Sequence, residues 1–281
     1  MFLDPQRQVI DEFRANGGWV GGPFVGARLL LLTTTGARSG APHTVPLGYL
    51  PDGGEQVLVI GSAGGSPRHP AWFHNLVAQP RVTVEDGVFV ADALAVVLEG
   101  ADRDRAFARA VETDAGWAAY EERSGRVLPV VALRPLPGPP RYAGGASPVS
   151  SATLIRVHGA FRRELALIRR EVAGTGASVG AQLRANCLTL CAGLHNHHLG
   201  EDGALFPLLA ARQPDLEPTL ERLRVEHERI AALVAQLQEL VAGPADPAAL
   251  HRDVDRLTDA LERHLAYEEE RLVPALDAVL G

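Results

Sequence analysis

From about residue 152 to residue 280 the apolar residues recur at alternating steps of four and three, and every such run is interrupted by histidine, alone or with glutamate. The first run is Leu154, His158, Phe161, Leu165, Ile168 and Val172. The second is Leu183, Cys187, Leu190, Leu194, His197, Glu201 and Leu205. The third is Leu220, Leu223, His227, Ile230, Val234, Leu237 and Val241. The fourth is Leu250, Val254, Leu257, Leu261, His264, Glu268 and Leu272. This spacing lays each set along one stripe of an amphipathic helix. The turn segments GTGAS, QPD and GPADP separate the runs, and short loops imply antiparallel neighbours. The expectation is an all-α, up-down four-helix bundle.

Two interruptions have the form HxxxE, at His197/Glu201 and His264/Glu268, which stacks both side chains on one face a turn apart. Counted from the intervening loops, the four histidines lie at depths that differ by only a few ångströms at about 1.5 Å of rise per residue. His158, His197, Glu201, His227, His264 and Glu268 are therefore expected in one layer of the core. A lone core histidine is usually satisfied by a neighbour. Two buried carboxylates without a cation, however, would each cost several kcal/mol or stay protonated, so the layer reads as a metal site. Imidazole with carboxylate suits iron or manganese, and the lack of thiolate ligands argues against structural zinc. His195 and His198 flank the layer and read as supporting or surface groups, with one of them as a ligand the alternative. Cys187 and Cys191 read as small buried hydrophobes, four residues apart on a helix and poorly placed to bridge each other.

The first half has a different grain. Short β-like runs, Arg28–Thr35, Gln56–Gly61, Arg81–Val84, Val88–Ala95 and Val127–Leu133, alternate with glycine and proline turns. Helical periodicity is confined to 5–15, 69–79 and 102–124. That pattern predicts an α+β domain over 1–136 built on a mainly antiparallel sheet or barrel. A proline-, glycine- and serine-rich linker over 137–151 follows, then the bundle over 152–281. With 281 residues two domains are the default. The net charge of −7 disfavours nucleic acid as a partner. No run is long and apolar enough to span a membrane and no secretory leader is evident, so a cytoplasmic location is expected. Peripheral membrane contact and a homodimer through the barrel stay open. All 27 basic residues are arginine, which excludes lysine chemistry.

Three clusters in the first half carry chemistry. The segment Thr33–Gly40 (TTTGARSG) follows an apolar strand; its glycines are expected to expose backbone N–H groups, and Arg38 and Ser39 add charge and hydroxyl, which suits a phosphate or carboxylate. An ordinary hairpin turn is the plainer reading. Gly61–Gly65 (GSAGG) precedes RHPAWFHNL, where glycines permit close approach of a flat ring that Trp72 and Asn75 could frame, unless the aromatics are simply core. Trp117, Tyr120, Arg123 and Arg126 are expected on one helix before the strand VLPVVAL.

Residues 152–280, with His158, His197-HLG-Glu201, His227, His264-LAY-Glu268 and the segments EDGALFPLL and EEERLVPAL, resemble the hemerythrin-like, or HHE cation-binding, family. The resemblance implies two non-haem irons bridged by Glu201 and Glu268. Ala231 stands where oxygen-carrying members have a further histidine. That implies an open coordination position and favours redox, peroxide or nitric-oxide chemistry, or sensing of oxygen, nitric oxide or iron, over oxygen storage. From about Val9 to Pro135, FRANGGWVGG, LTTTGARSGAPHTVPLGYL, GSAGGSPRHPAWFHNLVAQPRVTVE and AAYEERSGRVLPVVALRP resemble the deazaflavin-dependent nitroreductase and quinone reductase family. This implies a split β-barrel like that of flavin-binding oxidases, reduced coenzyme F420 as cofactor, and hydride transfer to a small-molecule substrate of the quinone or nitro class. Arg38, Ser39 and Gly40, with Arg28, fall at the acidic tail. Ser62, Gly64, Gly65, Trp72 and Asn75 fall around the ring, and Tyr120 is the catalytic candidate, as hydrogen-bond donor or pocket wall. Ala63 stands where many relatives have lysine, and Glu121 to Ser124 lack the tyrosines of the best-known nitroreductases. The alternatives are a metal-binding sensor or storage protein with a catalytically silent barrel, or an enzyme using FMN.

Overall fold

Leu29 to Leu32 are four consecutive buried leucines in β1 (Leu29–Thr35), because both faces of this strand are covered. Successive strand side chains point to opposite faces. Leu30 and Leu32 enter a cluster with Val59, Val82, Ala93, Ala95, Val131 and Leu133. Leu29 and Leu31 pack outward against Phe13 and Val20, under helix α1 (Pro5–Ala15). In this computed structural model the described residues are 5–138, 141–147, 149–176 and 178–280. Pro139, Pro140 and Pro148 of the expected linker, and Ala177 of the first bundle turn, lie outside them. The chain divides into two units, Met1–Gly145 and Ala146–Gly281.

The first unit is a six-stranded closed antiparallel barrel. Its other strands are β2 (Pro42–Pro51), β3 (Val57–Ile60), β4 (Arg81–Glu85), β5 (Phe89–Val97) and β6 (Val130–Pro135). They run in the order β4-β1-β2-β3-β6-β5, and β5 pairs back onto β4 to close the ring. A short β7 (Arg141–Tyr142) adds to β5 beside Phe89 and Val90, beyond the stretch of β5 that β6 covers, so part of the expected linker belongs to the sheet. Trp72 and Leu76 of helix α2 (Ala71–Ala78) close the barrel interior. On the outer face of β3 and β6, Leu58, Ile60, Val130 and Ala132 pack on Ala106, Phe107 and Ala110 of helix α3 (Gly100–Thr113). The single helix expected over 102–124 is broken at Asp114, and α4 (Gly116–Ser124) follows. Arg126 lies beyond it, because Gly125 adopts a left-handed φ of 63° and ends the helix.

Strand β2 escaped the sequence reading because Pro42, Pro46 and Pro51 look like breakers. Proline removes a ladder donor and is tolerated where a strand is unpaired on one side. Pro46 faces Leu31 of β1, while β3 pairs only with residues 49 to 51.

The second unit is the bundle. Its elements are α5 (Ser151–Ala173), α6 (Ala181–Gly200), a π-helical segment (Glu201–Leu205) leading into α7 (Phe206–Arg212), α8 (Glu217–Ala242) and α9 (Pro247–Leu280). Ser150 caps α5 by accepting from the Thr153 N–H at 3.2 Å. Helix α5 packs on α6 and α9, and α8 packs on the same two. The third stripe is buried as its spacing requires, from Leu220 to Val241. The second stripe slips by one residue. The Phe206 N–H bonds to the Glu201 carbonyl, an i to i+5 step, so Phe206 is fully buried and Leu205 is half-exposed. No described helix is long and apolar enough to cross a membrane.

Candidate functional site

In the bundle the stripes deliver their polar members to one place. His158 comes from α5, His197 from α6, Glu201 from the π segment, His227 from α8, and His264 and Glu268 from α9. Five of these are at most 4% exposed, and His197 is 12% exposed at its side chain. The two carboxylates stand between two sets of imidazoles. Glu201 Oε1 lies 3.2 Å from His197 Nε2, and its Oε2 lies 3.5 Å from His227 Nε2. Glu268 Oε2 lies 3.5 Å from His158 Nε2 and 3.4 Å from His264 Nε2. All six residues expected in one layer are brought together.

The far side of three imidazoles is anchored by a carboxylate. His158 Nδ1 meets Glu269 at 2.9 Å, His227 Nδ1 meets Asp202 at 3.0 Å, and His264 Nδ1 meets Glu226 at 3.1 Å. Each anchor is the sequence neighbour of an inward-facing residue, and Arg162 and Arg222 hold Glu269 and Glu226 in turn. Carboxylate–imidazole pairs of this kind aim the opposite nitrogen at a metal. The hydrogen bond from His158 and the Arg162 guanidinium hold Glu269 down at about 2.

Fit to a cation can be tested on the inward atoms. The Nε2 atoms of His158, His197, His198, His227 and His264, and all four oxygens of Glu201 and Glu268, are buried without a hydrogen-bond partner. An unsatisfied buried polar atom costs about 1–3 kcal/mol. Nine of them would cost on the order of 10 kcal/mol, as much as the whole net stability of a domain, about 5–15 kcal/mol. Without a cation, burial and the neighbouring Glu268 push Glu201 well above the usual carboxylate range, and burial pushes Glu268 up to about 8. Burial also drives His197 well below its ordinary value, and burial with the nearby His227 takes His264 down to about 4. Neutral imidazoles beside carboxylates form the donor set that a divalent hard or borderline metal takes. The residues fit the metal.

Sequence reasoning left one inward atom aside. His198 is 7% exposed and joins His227 and His264 in a second group of convergent ligand atoms, whereas His195 is exposed. The HxxxE spacing selects His197 and hides its neighbour. The signal that could have found His198 is the run Cys187, Cys191, Leu194 and His198, at steps of four, three and four, all of it buried.

In the barrel unit the candidate residues gather around α2. The Asn75 side chain accepts from the Ala37 N–H at 3.0 Å and donates to Thr34 Oγ1 at 3.1 Å, pinning the β1–β2 turn to the helix. Arg38, Ser39 and Gly40 sit exposed on that turn. The glycines do not expose their N–H groups as expected. Gly36 N–H bonds to Ala41 O and Gly40 N–H to Gly36 O, both at 2.8 Å, since a tight turn satisfies its own donors. The charge on this turn is the exposed Arg38 guanidinium. Arg28 precedes β1 while Arg38 follows it. At about 3.3 Å per residue the two stand roughly 20 Å or more apart, too far to hold one phosphate.

The Ser62–Gly65 loop is held open by its backbone. Ala63 has φ 47°, the one non-glycine among the described residues in the left-handed region, and Gly64 and Gly65 follow at 62° and 80°. A Cβ on Gly65 would strike the Arg123 guanidinium, whereas one on Gly64 would meet open space. Arg126 braces the loop from behind, donating to the carbonyls of Ser66 at 3.1 Å, Gly61 at 2.8 Å, and Ser62 and Arg68 at 3.3 Å, with His69 Nδ1 at 3.0 Å. Arg123 lies over the Tyr120 ring at 5.0 Å, and Trp117 meets that ring edge-on at 6.0 Å. Glu121 takes the Leu128 N–H at 2.9 Å and an ion pair from buried Arg103, which fixes α4 to the start of β6. Trp72 is 6% exposed and spends its face on the barrel interior, so it supports this face from beneath. Helix α4, with half-buried Tyr120, packs against the Ala63–Gly65 turn, and Arg38 stands exposed on the β1–β2 turn.

Comparison with known proteins agrees with both halves. The family model described as F420H(2)-dependent quinone reductase matches residues 5–135, and the one described as hemerythrin HHE cation binding domain matches residues 149–276. An F420H(2)-dependent quinone reductase of Mycobacterium tuberculosis strain H37Rv is 38% identical over 125 residues, 43% of this chain and 83% of the relative. A second, putative F420H(2)-dependent quinone reductase of that strain is 32% identical over 106 residues, 38% of this chain and 88% of the relative. A solved F420-H2 dependent reductase is 38% identical, with 38% of this chain and 94% of that chain covered at a TM-score of 0.36. The chain thus belongs to the F420H(2)-dependent quinone reductase family and carries a hemerythrin HHE cation-binding domain in its second half.

Proposed function

We propose that the first unit binds reduced F420 and directs hydride to a small organic electrophile of the quinone or nitro class. In the same reading the second unit holds two non-haem iron ions for redox chemistry or for sensing of oxygen, nitric oxide or iron. For the reductase, the carrying observation is family membership joined to one piece of geometry. Asn75 draws the Arg38 turn onto α2, the same helix whose N-terminal end the Ser62–Gly65 loop leads into. When bound, the deazaflavin supplies the hydride. The chain's own residues bind and orient. Arg38 attracts the acidic tail, and the backbone of Ala63 and Gly64 permits close approach of a ring. Arg126 keeps that backbone in place, Asn75 fixes the turn, and Trp72 stiffens the floor. The Tyr120 hydroxyl is the candidate donor for an electrophile's oxygen.

The test is anaerobic mixing of the full-length protein with reduced F420 and a soluble benzoquinone, followed by the absorbance of the oxidised deazaflavin. Protein-dependent turnover is expected, with weaker or no binding of FMN by calorimetry. Binding of the deazaflavin without turnover of any quinone or nitro acceptor would instead make the barrel a silent ligand-binding module. For the bundle, metal analysis of the purified full-length protein is expected to find close to two irons per chain. A chain free of metal after growth and purification with iron would overturn that half of the proposal.

A further inference from the structure

The convergent atoms in the bundle are unevenly shared. On one side His158 and His197 face the carboxylates. On the other, His198, His227 and His264 place ligand atoms within 4.8 Å of one another. We infer that His198 is a metal ligand, giving the second position three imidazoles against two at the first. This inference rests on the reading that the layer holds two ions.

Three observations carry it. His198 Nε2 is buried without a hydrogen-bond partner, as are the Nε2 atoms of His227 and His264. Its ring lies 4.1 Å from the His227 ring at an interplanar angle of 13° and 5.3 Å from the His264 ring, so it sits between α8 and α9 rather than at the surface. His197 and His198 are about 100° apart around α6, which lets consecutive residues serve opposite sides of the carboxylate pair. The His197 ring accordingly meets His158 at 5.4 Å. Nitrogens bound to one ion at about 2.1 Å are at most roughly 4.2 Å apart. Binding therefore draws the three atoms together slightly and tilts His198 off the face of His227.

The position left short of a ligand is then the one at His158 and His197. Phe161 walls that side, its ring 5.2 Å from His197.

The experiment compares full-length wild type with His198→Phe, His158→Phe and His195→Ala. Each is loaded anaerobically with ferrous iron, and the iron retained is measured against a competing chelator. Phenylalanine keeps the stacking on His227 but has no donor atom. His198→Phe is expected to weaken one of the two ions by at least about tenfold, the loss that follows removal of even an outer hydrogen-bond partner. His158→Phe should weaken the other, and His195→Ala neither. His198→Gln, with circular dichroism of the metal-free form, separates loss of a ligand from loss of fold. Wild-type retention of both ions in His198→Phe means that the ring only packs, and the inference fails. A wild type that never holds two ions sinks the reading beneath it as well.

Discussion

The bundle and the barrel build their sites in opposite ways. In the bundle the candidate ligands stand on helical segments in the core, and three of the imidazoles, His158, His227 and His264, have a carboxylate behind them. In the barrel Arg38, Ser39, Gly40, Ser62, Gly64 and Gly65 stand on turns held in place by Asn75 and Arg126, while Trp72, Asn75 and Tyr120 stand on short helices beside the barrel. A site made of core side chains shares its energy with the fold. A site made of loops on a finished barrel can be altered at Arg38 with little cost to the scaffold.

Removing metal is the sharpest probe of that contrast. His227→Ala or Glu268→Ala in the full-length chain is expected to lower iron content and to destabilise the bundle by several kcal/mol, about 10 °C or more in its transition. The barrel's transition stays in place. Scanning calorimetry with metal analysis reads both, and an unchanged bundle transition would place the two sites in one class.

The metal-free bundle should also titrate in a characteristic way. Glu268, at about 8 folded against an ordinary 4.5, contributes stability that is present below about pH 4.5 and lost as pH rises through 8. His264, at about 4 against an ordinary 6.5, contributes stability present above 6.5 and lost as pH falls toward 4. The other inward histidines shift in the same direction. Their number outweighs the carboxylates on the acid side. Chemical denaturation is thus expected to give a stability maximum near pH 6.5 without metal, and no alkaline decline below pH 8 with it.

An intermediate effect falls on Arg126. Arg126→Ala strips four carbonyls of a charged donor and should cost about 2–3 kcal/mol of barrel stability. Turnover should fall further than stability alone explains, because the Ser62–Gly65 backbone loses its brace. The mildest change is Arg38→Ala. It is expected to weaken F420 binding by roughly tenfold at low salt, with the difference shrinking as salt screens the acidic tail. Barrel stability should not move. A large stability loss at Arg38 would mean that the turn is part of the scaffold.

The same contrast governs what the sequence revealed. Helix stripes at 3.6 periodicity pointed to His158, His227 and His264 directly, since one period fixes both the face and the depth of a residue. His198 was passed over because the HxxxE spacing selects His197, although Cys187, Cys191, Leu194 and His198 form an equally regular buried run. In the barrel, β1 was readable from four leucines, whereas β2 was masked by prolines that only strand pairing makes acceptable. The roles of Arg103, Glu121 and Arg126 depend on partners up to 65 positions away, and no local pattern encodes such a distance. Gly36 and Gly40 looked like free donors because composition does not say how a turn closes on itself.

The metal layer also divides the bundle's apolar interior. Leu165, Ile168, Leu190, Leu237 and Leu257 belong to one cluster, and Leu154, Phe206, Leu209, Leu220 and Leu272 to another. The chain crosses from one to the other along α5, α8 and α9 and from α6 through the π segment into α7, each time past the ring of histidines and glutamates, and at the last of these the π turn shifts the phase of the second stripe. On the proposed reading, ions held in that ring would act as a rivet between the two half-cores. With the rivet in place the bundle should open as one unit; without it, the end containing Phe206 should exchange its amide protons ahead of the end containing Leu257.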